Sequence, residues 1–405
     1  GLGIFSGFLL GYMLFCSQTP QMISILIGII SGLFIGVFLI LLEKAVDLNL
    51  RYHWLIFILP LSGVFMTFLY NKFGGNSQKG NNIIIENING SKEEIKFVMA
   101  PLVFMGTVLT HLFGGSVGRE GTGVQIGGTI GNSLSKYLKS TTNEKKILLI
   151  SGVAAGFSSV FGTPIAGTIF ALEISNIGSF SYNSMVPALT AAIVGNSIVK
   201  FLGVKHTRYK IPPIEAFTLV NVLKVIIMSV CFGLASKLFI YMTKWFKDKL
   251  IKYCQNIYLK IFIGGSLMVI ATLVIGNNLY NNLSLGLLSS AFDGNVPYFA
   301  FIIKLILTTL CLGAGYQGGE VTPLFVIGAT LGATLSPVLG TPFAFAAALG
   351  LVGVFSGATN APIASFMMYL ELFGANNILF AIIVCVLTVF ISGKKGIYTS
   401  QLWNE

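Results

Sequence analysis

The residues best suited to chemistry lie in one glycine-rich segment, Gly114-Gly-Ser-Val-Gly-Arg-Glu-Gly-Thr122, between two apolar stretches. A glycine-rich turn that opens a helix exposes unpaired backbone N–H groups at the positive end of the helix dipole, which is a ready site for an anion. Glu120 places a carboxylate where such an anion would sit, and an acidic group at membrane depth is costly and by default functional. The alternative is that Glu120 only complements the helix dipole; we favour a functional role. Arg119 is expected to be structural, held by carbonyls or by a carboxylate.

Composition places this segment in a membrane. Of 405 residues, 54% are hydrophobic and only 10% are charged, whereas soluble domains have about 25% charged residues. So few charges cannot cover the surface of a soluble protein of this length, and the sequence therefore predicts a polytopic membrane protein. The net charge of +11 comes from lysines in short segments between apolar runs, which is typical of cytoplasmic loops and not of a nucleic-acid-binding face.

Neither the cysteines nor the histidines predict a site. The five cysteines are scattered without a paired spacing, and His53, His111 and His206 are too far apart in the sequence to indicate a metal centre. We therefore expect no metal and no cofactor. The chain begins with Gly-Leu-Gly, so we expect N-terminal residues to be missing, and we predict no removable signal peptide and no C-terminal regulatory domain.

The elements that position the glycine-rich segment are apolar helices of unequal length. Ile23–Leu42 and Leu219–Phe246 are long enough to cross a bilayer, and Ile378–Ile391 is marginal. Other runs are short or interrupted by Gly or Pro, and such broken helices are tolerated only where they are buried in protein or line a cavity. These runs are Val98–Phe113, Val124–Tyr137, Ile147–Phe161, Pro164–Leu172, Pro323–Leu339, Ala344–Phe355 and Pro362–Phe373. The pattern indicates a transporter or a channel.

The chain also repeats itself. Two pairs of segments align in the same order, at offsets of 198 and 201: residues 152–173 with 350–371, and residues 114–131 with 315–332. Eight positions of the first pair are identical, among them Glu173 and Glu371. We predict two homologous halves of one transmembrane domain, residues 1–205 and 206–405, with a binding site between their paired interrupted segments. Sequence identity leaves open whether the halves are parallel or inverted.

Four short motifs resemble those of the CLC family of anion channels and proton-coupled antiporters. Gly118-Arg119-Glu120-Gly121 looks like the GREGP motif of that family, and Gly319-Glu320-Val321-Thr322-Pro323 resembles its GxFxP motif. Gly80-Asn81-Asn82-Ile83-Ile84 resembles the GSGIP motif, and does so better than Gly75-Asn76-Ser77. Gly396-Ile397-Tyr398 resembles the segment whose tyrosine hydroxyl touches the central anion. Together the motifs and the repeat cover nearly the whole chain.

The resemblance implies an all-α polytopic membrane protein, an inverted repeat of tilted, broken and re-entrant helices that is assembled as a homodimer. Helix N-termini would meet at the anion site. The residues that would bind the anion are Gly80, Asn81, Asn82, Gly121, Val321, Thr322 and Tyr398. The residues that would frame the two central motifs are Gly118, Arg119, Gly318, Gly319 and Pro323. No motif marks the dimer interface, for which the small-residue face Ala188–Ile198 is one candidate.

Departures from the family pattern narrow the function. Asn81 stands in place of the serine that coordinates the central anion in chloride-handling members, and Ile174 in place of the internal proton-accepting glutamate. Thr122 replaces the proline of GREGP, and Val321 replaces the phenylalanine of GxFxP. These changes resemble the fluoride-handling CLC-F branch, whose members export fluoride against protons.

We therefore predict a secondary transporter of the bacterial plasma (inner) membrane whose partners are fluoride, protons and the lipid bilayer. Glu120 would act as gate and proton carrier, and Glu320 is a second candidate for ion or proton transfer. Glu173 and Glu371 are predicted to have a packing or ion-pairing role.

Three alternatives remain. Within the family, the protein could be a chloride channel or a chloride/proton antiporter. An intramembrane hydrolase or acyltransferase would need a nucleophile and a base in register. A structural scaffold would leave Glu120 and the paired glycine turns unexplained.

Overall fold

A computed structural model describes residues 20–206, 211 and 217–403, and this part of the chain is built almost entirely of helices. The α-helices are α1 (Pro20–Arg51), α2 (Leu59–Leu69), α3 (Asn81–Ile88), α4 (Met99–Leu112), α5 (Glu120–Tyr137), α6 (Thr142–Phe161), α7 (Pro164–Glu173), α8 (Tyr182–Phe201), α9 (Leu219–Tyr253), α10 (Ile257–Ile275), α11 (Leu285–Phe292), α12 (Ala300–Ala314), α13 (Val321–Leu339), α14 (Phe343–Thr359), α15 (Pro362–Phe373) and α16 (Ile378–Ser392). The other regular segments are the short helical turns His53–Ile58, Tyr70–Gly74 and Gly75–Lys79, and the strands β1 (Asn176–Ile177) and β2 (Leu402–Trp403). The two strands pair in parallel.

The helices fall into long spans and short pieces, as the sequence predicts. Among the residues that the structure describes, six continuous helical stretches are long and apolar enough to cross a membrane, namely α1, α8, α9, α10, α13 and the composite stretch His53–Lys79. One of them, α13, contains Pro323–Leu339, which the sequence analysis places among the short or interrupted runs. Apolar helices of only 10–17 residues accompany them, namely α4, α7, α12, α14, α15 and α16. Short helices at membrane depth need protein around them because their end groups find no partners in lipid. Their presence here therefore fits a fold in which helices end inside the protein.

Equivalent residues of the two aligned segments meet face to face. Gly118 and Gly319 form an isolated antiparallel bridge, in which Gly319 N–H donates to the Gly118 carbonyl over 2.7 Å and Gly118 N–H donates back to the Gly319 carbonyl. An antiparallel bridge between equivalent residues is the contact that a two-fold axis between inverted repeats produces. It supports the inverted arrangement; the boundary between residues 205 and 206 stays a prediction.

A second reciprocal contact involves the repeat-equivalent carboxylates. Glu173, at the end of α7, accepts the N–H groups of Ile363 and Ala364 at the start of α15, over 3.2 and 2.9 Å. Glu371, on α15, accepts the N–H groups at positions 165 and 166, at the start of α7, over 3.0 and 2.7 Å. Each carboxylate thus caps the helix that carries the other. The prediction of a packing role is therefore confirmed, with backbone amides as the partners at these contacts.

Glycines bring the central helices into backbone contact. A Cβ added to Gly123 on α5 would lie 2.8 Å from the carbonyl oxygen of Gly156 on α6. A Cβ on Gly350 of α14 would lie 2.7 Å from the carbonyl carbon of Gly328 on α13. Both separations are too short for a side chain, so α5 lies directly on α6 and α13 on α14. Small residues permit this close approach inside membranes. The contacts hold α5 against α6 and α13 against α14.

The small-residue face of α8 packs inside the chain. Ala188, Ala191 and Gly195 are buried, and a Cβ on Gly28 of α1 would lie 2.8 Å from the carbonyl oxygen of Ala191. The prediction that Ala188–Ile198 offers its small residues to a dimer interface is therefore wrong, because α1 and α6 already cover them. Larger apolar side chains are exposed on the other face of α8, including Ile193.

The C-terminal segment crosses back to the centre of the protein. Ile397 N–H donates to the carbonyl of Ala358, near the end of α14, over 2.9 Å. A few residues later, β2 pairs with β1, which follows α7. These two attachments hold Tyr398, which is buried, between the end of α14 and the strand that follows α7.

Candidate functional site: three helix N-termini around two carboxylates

The N-termini of α3, α5 and α13 meet at one point. The Gly118–Gly319 bridge joins the turns that lead into α5 and α13. A Cβ added to Gly121, in the first turn of α5, would lie 3.1 Å from Nδ2 of Asn81 and 3.2 Å from Cα of Gly319. Each N-terminus carries unpaired N–H groups and the positive end of a helix dipole. The fold therefore concentrates positive potential at the point where these three helices begin. Each of the three helix starts lies in a different one of the sequence motifs.

Glu120 occupies this point with its carboxylate. It is the first residue of α5 and has no exposed surface. Its Oε2 accepts the N–H of Thr322, at the start of α13, over 3.0 Å and the N–H of Arg119 over 3.1 Å. Its Oε1 accepts a short hydrogen bond from the Thr322 hydroxyl and lies 3.8 Å from Nε of Arg119. The carboxylate thus takes the hydrogen-bond donors at the N-terminus of α13, and Arg119 lies beside it; the roles assigned to Glu120 and Arg119 stay predictions.

Glu320 brings a second carboxylate to the same site. It is the N-cap of α13, and its Oε1 lies 3.5 Å from Nδ2 of Asn81. The Tyr398 hydroxyl hydrogen-bonds to its carboxylate. Two predicted anion ligands, Asn81 and Tyr398, therefore face Glu320, whereas Thr322 faces Glu120. The side chains that are predicted to bind an anion thus face two carboxylates in this structure.

The remaining predicted residues shape the backbone around these groups. Gly80, the residue before α3, has φ +58°, and Gly318 has φ +156°, conformations that a side chain would strain. Val321, 1% exposed, opens α13. Pro323 follows in the first turn of that helix, where its missing N–H has no cost. The start of α3 at Asn81 also supports the choice of Gly80, and not Gly75, for the first motif.

The side chain of Asn82 binds the C-terminal segment and not the predicted anion site. Its Oδ1 accepts the N–H of Ser400 over 3.1 Å, so the side chain anchors the C-terminal segment that carries Tyr398. The Ser400 hydroxyl in turn donates to Glu86 over 2.8 Å. Only the backbone N–H of Asn82, in the first turn of α3, remains as its contribution to an anion site. Ser400 and Glu86 carried no signal in the sequence because their partners lie over 300 residues apart.

Two of the departures from the family pattern, Thr122 and Ile174, are buried in the structure. The hydroxyl of Thr122, where the family has proline, shares a buried 2.6 Å hydrogen bond with Thr107 on α4. Ile174, where a proton-accepting glutamate would be expected, follows α7 and is 1% exposed. The site therefore contains Glu120 and Glu320, and the position of the internal glutamate is apolar.

Comparison with known proteins decides the family. The family model described as voltage gated chloride channel matches residues 62–393. This chain belongs to the CLC family. The prediction made from the four motifs is thereby confirmed.

Individual relatives agree with the family. A chloride/fluoride channel protein of Pseudomonas syringae pv. tomato is 38% identical over 385 residues, which cover 93% of this chain and 84% of that protein. The H(+)/Cl(-) exchange transporter ClcA of Yersinia pestis bv. Antiqua is 25% identical over 427 residues, which cover 95% of this chain and 88% of that one.

Solved structures agree with the fold. The crystal structure of a CLC-type fluoride/proton antiporter matches with a TM-score of 0.92 at 34% identity, covering 95% of this chain and 98% of that chain. A slow cyanobacterial Cl-/H+ antiporter matches with a TM-score of 0.82 at 20% identity, covering 94% and 96%. The CLC-type inverted repeat and the multi-pass location in a bacterial membrane are confirmed, and the enzyme alternative is set aside because the relatives are channels and transporters.

Proposed function

We propose that this protein exports fluoride in exchange for protons, with Glu120 as both gate and proton carrier. The proposal rests on one observation: the Glu120 carboxylate accepts hydrogen bonds from both the backbone N–H and the hydroxyl of Thr322. Those donors belong to a different helix, and an anion would need the same ones. The names of two relatives, a chloride/fluoride channel protein and a fluoride/proton antiporter, support fluoride as the substrate.

The proposed exchange follows from the charge of one side chain. An ionised Glu120 accepts charge-assisted hydrogen bonds and excludes an anion from the N-terminus of α13. A protonated Glu120 loses the charge and with it about half the strength of those bonds, so fluoride can displace it. Fluoride therefore occupies the site while Glu120 is protonated and displaced, and the ionised carboxylate returns when fluoride leaves. In the proposed exchange, Glu120 takes up its proton on one side of the membrane and releases it on the other, while fluoride crosses in the opposite direction. Ile174 offers no internal proton site, so we assign both purposes to Glu120, with Glu320 as a possible helper in the same site.

Selectivity for fluoride is attributed to the density of donors. Fluoride is small and strongly hydrated, so a site must replace its water with several close hydrogen-bond donors. Asn81, Thr322 and Tyr398 supply side-chain donors, and the first turns of α3, α5 and α13 supply amides. In the structure these donors face the two carboxylates, which occupy the positions that we assign to the anion.

The second candidate is chloride/proton exchange, because an exchange transporter for chloride is 25% identical over most of the chain. Asn81 and Ile174 stand against it, since they replace the residues that handle chloride and protons in that branch. The two candidates are separated by measuring fluoride and chloride efflux side by side from proteoliposomes under matched gradients, with two ion-selective electrodes. Chloride flux equal to or faster than fluoride flux would defeat the fluoride assignment.

The role of Glu120 is tested separately. Glu120→Gln keeps the shape of the side chain and cannot ionise, so proton movement driven by a fluoride gradient should be abolished. Glu173→Gln is the matched control, because Glu173 is a buried carboxylate at another helix N-terminus. It should leave the coupling intact. Wild-type proton pumping by the Glu120→Gln protein would show that the mechanism is wrong even though the family is right.

We also propose that the protein is a homodimer in the membrane, as the family resemblance implies. Exposed apolar side chains on α8 and α16, such as Ile193 and Leu379, are available for an interface. Light scattering on detergent-solubilised protein tests this. A fully active monomer would rule the dimer out.

A further inference from the structure

A fully buried lysine lies outside the carboxylate site. Lys304 is on the apolar helix α12, and its side chain has no exposed surface. In the described part of the chain, no carboxylate forms an ion pair with it. An ionisable group inside a membrane protein is costly and calls for a functional explanation.

The hydrogen bonds of Lys304 identify its charge state. Its Nζ lies 3.0 Å from the Tyr280 carbonyl oxygen, 2.7 Å from the Asn282 carbonyl oxygen and 3.0 Å from Oγ of Ser284. The carbonyls can only accept, and the Ser284 hydroxyl already donates its one hydrogen to the Asn281 carbonyl, over 3.0 Å. Three N–H donors are therefore needed, and only the ammonium form has three. Lys304 is a buried positive charge.

The turn that surrounds Lys304 also holds the segment that leads into α5. Asn282 N–H donates to the Gly115 carbonyl over 3.1 Å, and the Ser116 hydroxyl donates to the Tyr280 carbonyl over 2.9 Å. Gly115 and Ser116 belong to the glycine-rich turn in front of α5. The ammonium group therefore holds, through two of its three acceptors, the backbone that presents the gate.

We propose that Lys304 positions the turn that leads into α5 and supplies a positive charge that stabilises an anion in the carboxylate site. The second part rests on the proposed function, because Glu120 and Glu320 already bring two carboxylates to a place that must admit an anion. Arg119 contributes one positive charge beside Glu120, and Lys304 contributes a second one next to the turn that leads into α5. At an effective dielectric constant of about 20, a unit charge about 10 Å from an anion changes its affinity roughly 16-fold, and one about 15 Å away roughly 6-fold.

The decisive variant cancels the charge and keeps the lysine. Ser284→Asp places a carboxylate on the Nζ of Lys304, and aspartate tolerates the left-handed backbone of residue 284, where φ is +53°. Lys304→Met removes both the charge and the hydrogen bonds. Lys224→Met is the control, since Lys224 is a half-buried lysine that donates to one carbonyl, that of Gly340, over 3.1 Å.

Each variant is checked for folding by thermal unfolding in detergent, and then for the fluoride concentration that gives half-maximal efflux from proteoliposomes. We expect Ser284→Asp to raise that concentration about tenfold with little change in unfolding temperature. Lys304→Met should raise it as well and also lower the unfolding temperature, and Lys224→Met should do neither.

Two results would overturn the proposal in its separate parts. An unchanged half-maximal concentration in Ser284→Asp would refute the electrostatic role, whether or not Lys304→Met folds. A Lys304→Met protein as stable as the wild type would refute the positioning role. If the wild type carries chloride and not fluoride, the proposed function fails, and the same comparison is made with chloride.

Discussion

Glu173→Gln is predicted to weaken the fold and to leave transport coupling intact. Glu173 lies inside the membrane domain with 4% of its surface exposed, and its two oxygens accept N–H groups of Ile363 and Ala364 at the start of α15. The neutral amide of glutamine has one carbonyl oxygen for these two donors. Its NH₂ group then faces the second N–H, which is left without an acceptor.

The size of the effect follows from these two bonds. A hydrogen bond to a charged group contributes about 1.5–3 kcal/mol net, and one between neutral groups about 1 kcal/mol. Glutamine loses one charged bond and reduces the other to a neutral one, so we expect the free energy of unfolding to fall by about 2–5 kcal/mol. Glu371→Gln removes the equivalent contacts to α7. Glu371 is only partly buried, and water can replace part of what is lost, so its effect should be smaller.

The assay is unfolding by SDS in mixed micelles, followed by tryptophan fluorescence, with proton-to-fluoride coupling measured on the same preparations in liposomes. Both variants should unfold at lower SDS than the wild type and keep the wild-type coupling ratio. An unchanged stability together with lost coupling would refute the reasoning, because Glu173 would then be a transport group and not a helix cap.

Three further predictions concern the centre of the protein. Thr322→Val keeps the shape and removes the hydroxyl that Glu120 and the anion would share, so the fluoride concentration for half-maximal efflux should rise about tenfold, as expected for one charge-assisted hydrogen bond. Asn81→Ser should relax selectivity, which is measured as an increase in chloride efflux relative to fluoride. Gly152→Ala should prevent folding, seen as aggregation on size-exclusion chromatography, because its Cβ would overlap the backbone of Gly127.

The features that local sequence rules determine were predicted well. Half-helices that begin at Pro164 and Pro362 do so because proline fits the first turn of a helix, and both begin at those residues in the structure. The start of α3 after Gly80 follows from a glycine with positive φ. The glycine-rich turn before Glu120 likewise predicted the start of α5.

Contacts between distant segments could not be read from the sequence. The burial of the small face of α8 depends on which helices cover it, and small residues serve a packed interior as well as a subunit interface. The side chain of Asn82 is directed by Ser400, near the other end of the chain. The sequence analysis assigned no role to Lys304, although an ionisable residue within an apolar run is a signal in its own right. Its partners could not be predicted because most are backbone carbonyls, which leave no trace in residue identity.

Four carboxylates at helix N-termini, those of Glu120, Glu173, Glu320 and Glu371, differ in which other groups could accept the hydrogen bonds that they now accept. Glu173 and Glu371 face each other's helices in a closed reciprocal pair, so that releasing one leaves two amides exposed at a packed helix end. Glu120 and Glu320 instead share one point where three helices begin. An anion that binds there would accept the hydrogen bonds that either carboxylate gives up. The cost of moving a carboxylate is therefore high in the first pair and largely offset by anion binding in the second. Under the proposed function, this difference lets one protein use a carboxylate as a fixed cap in one place and as a movable gate in another.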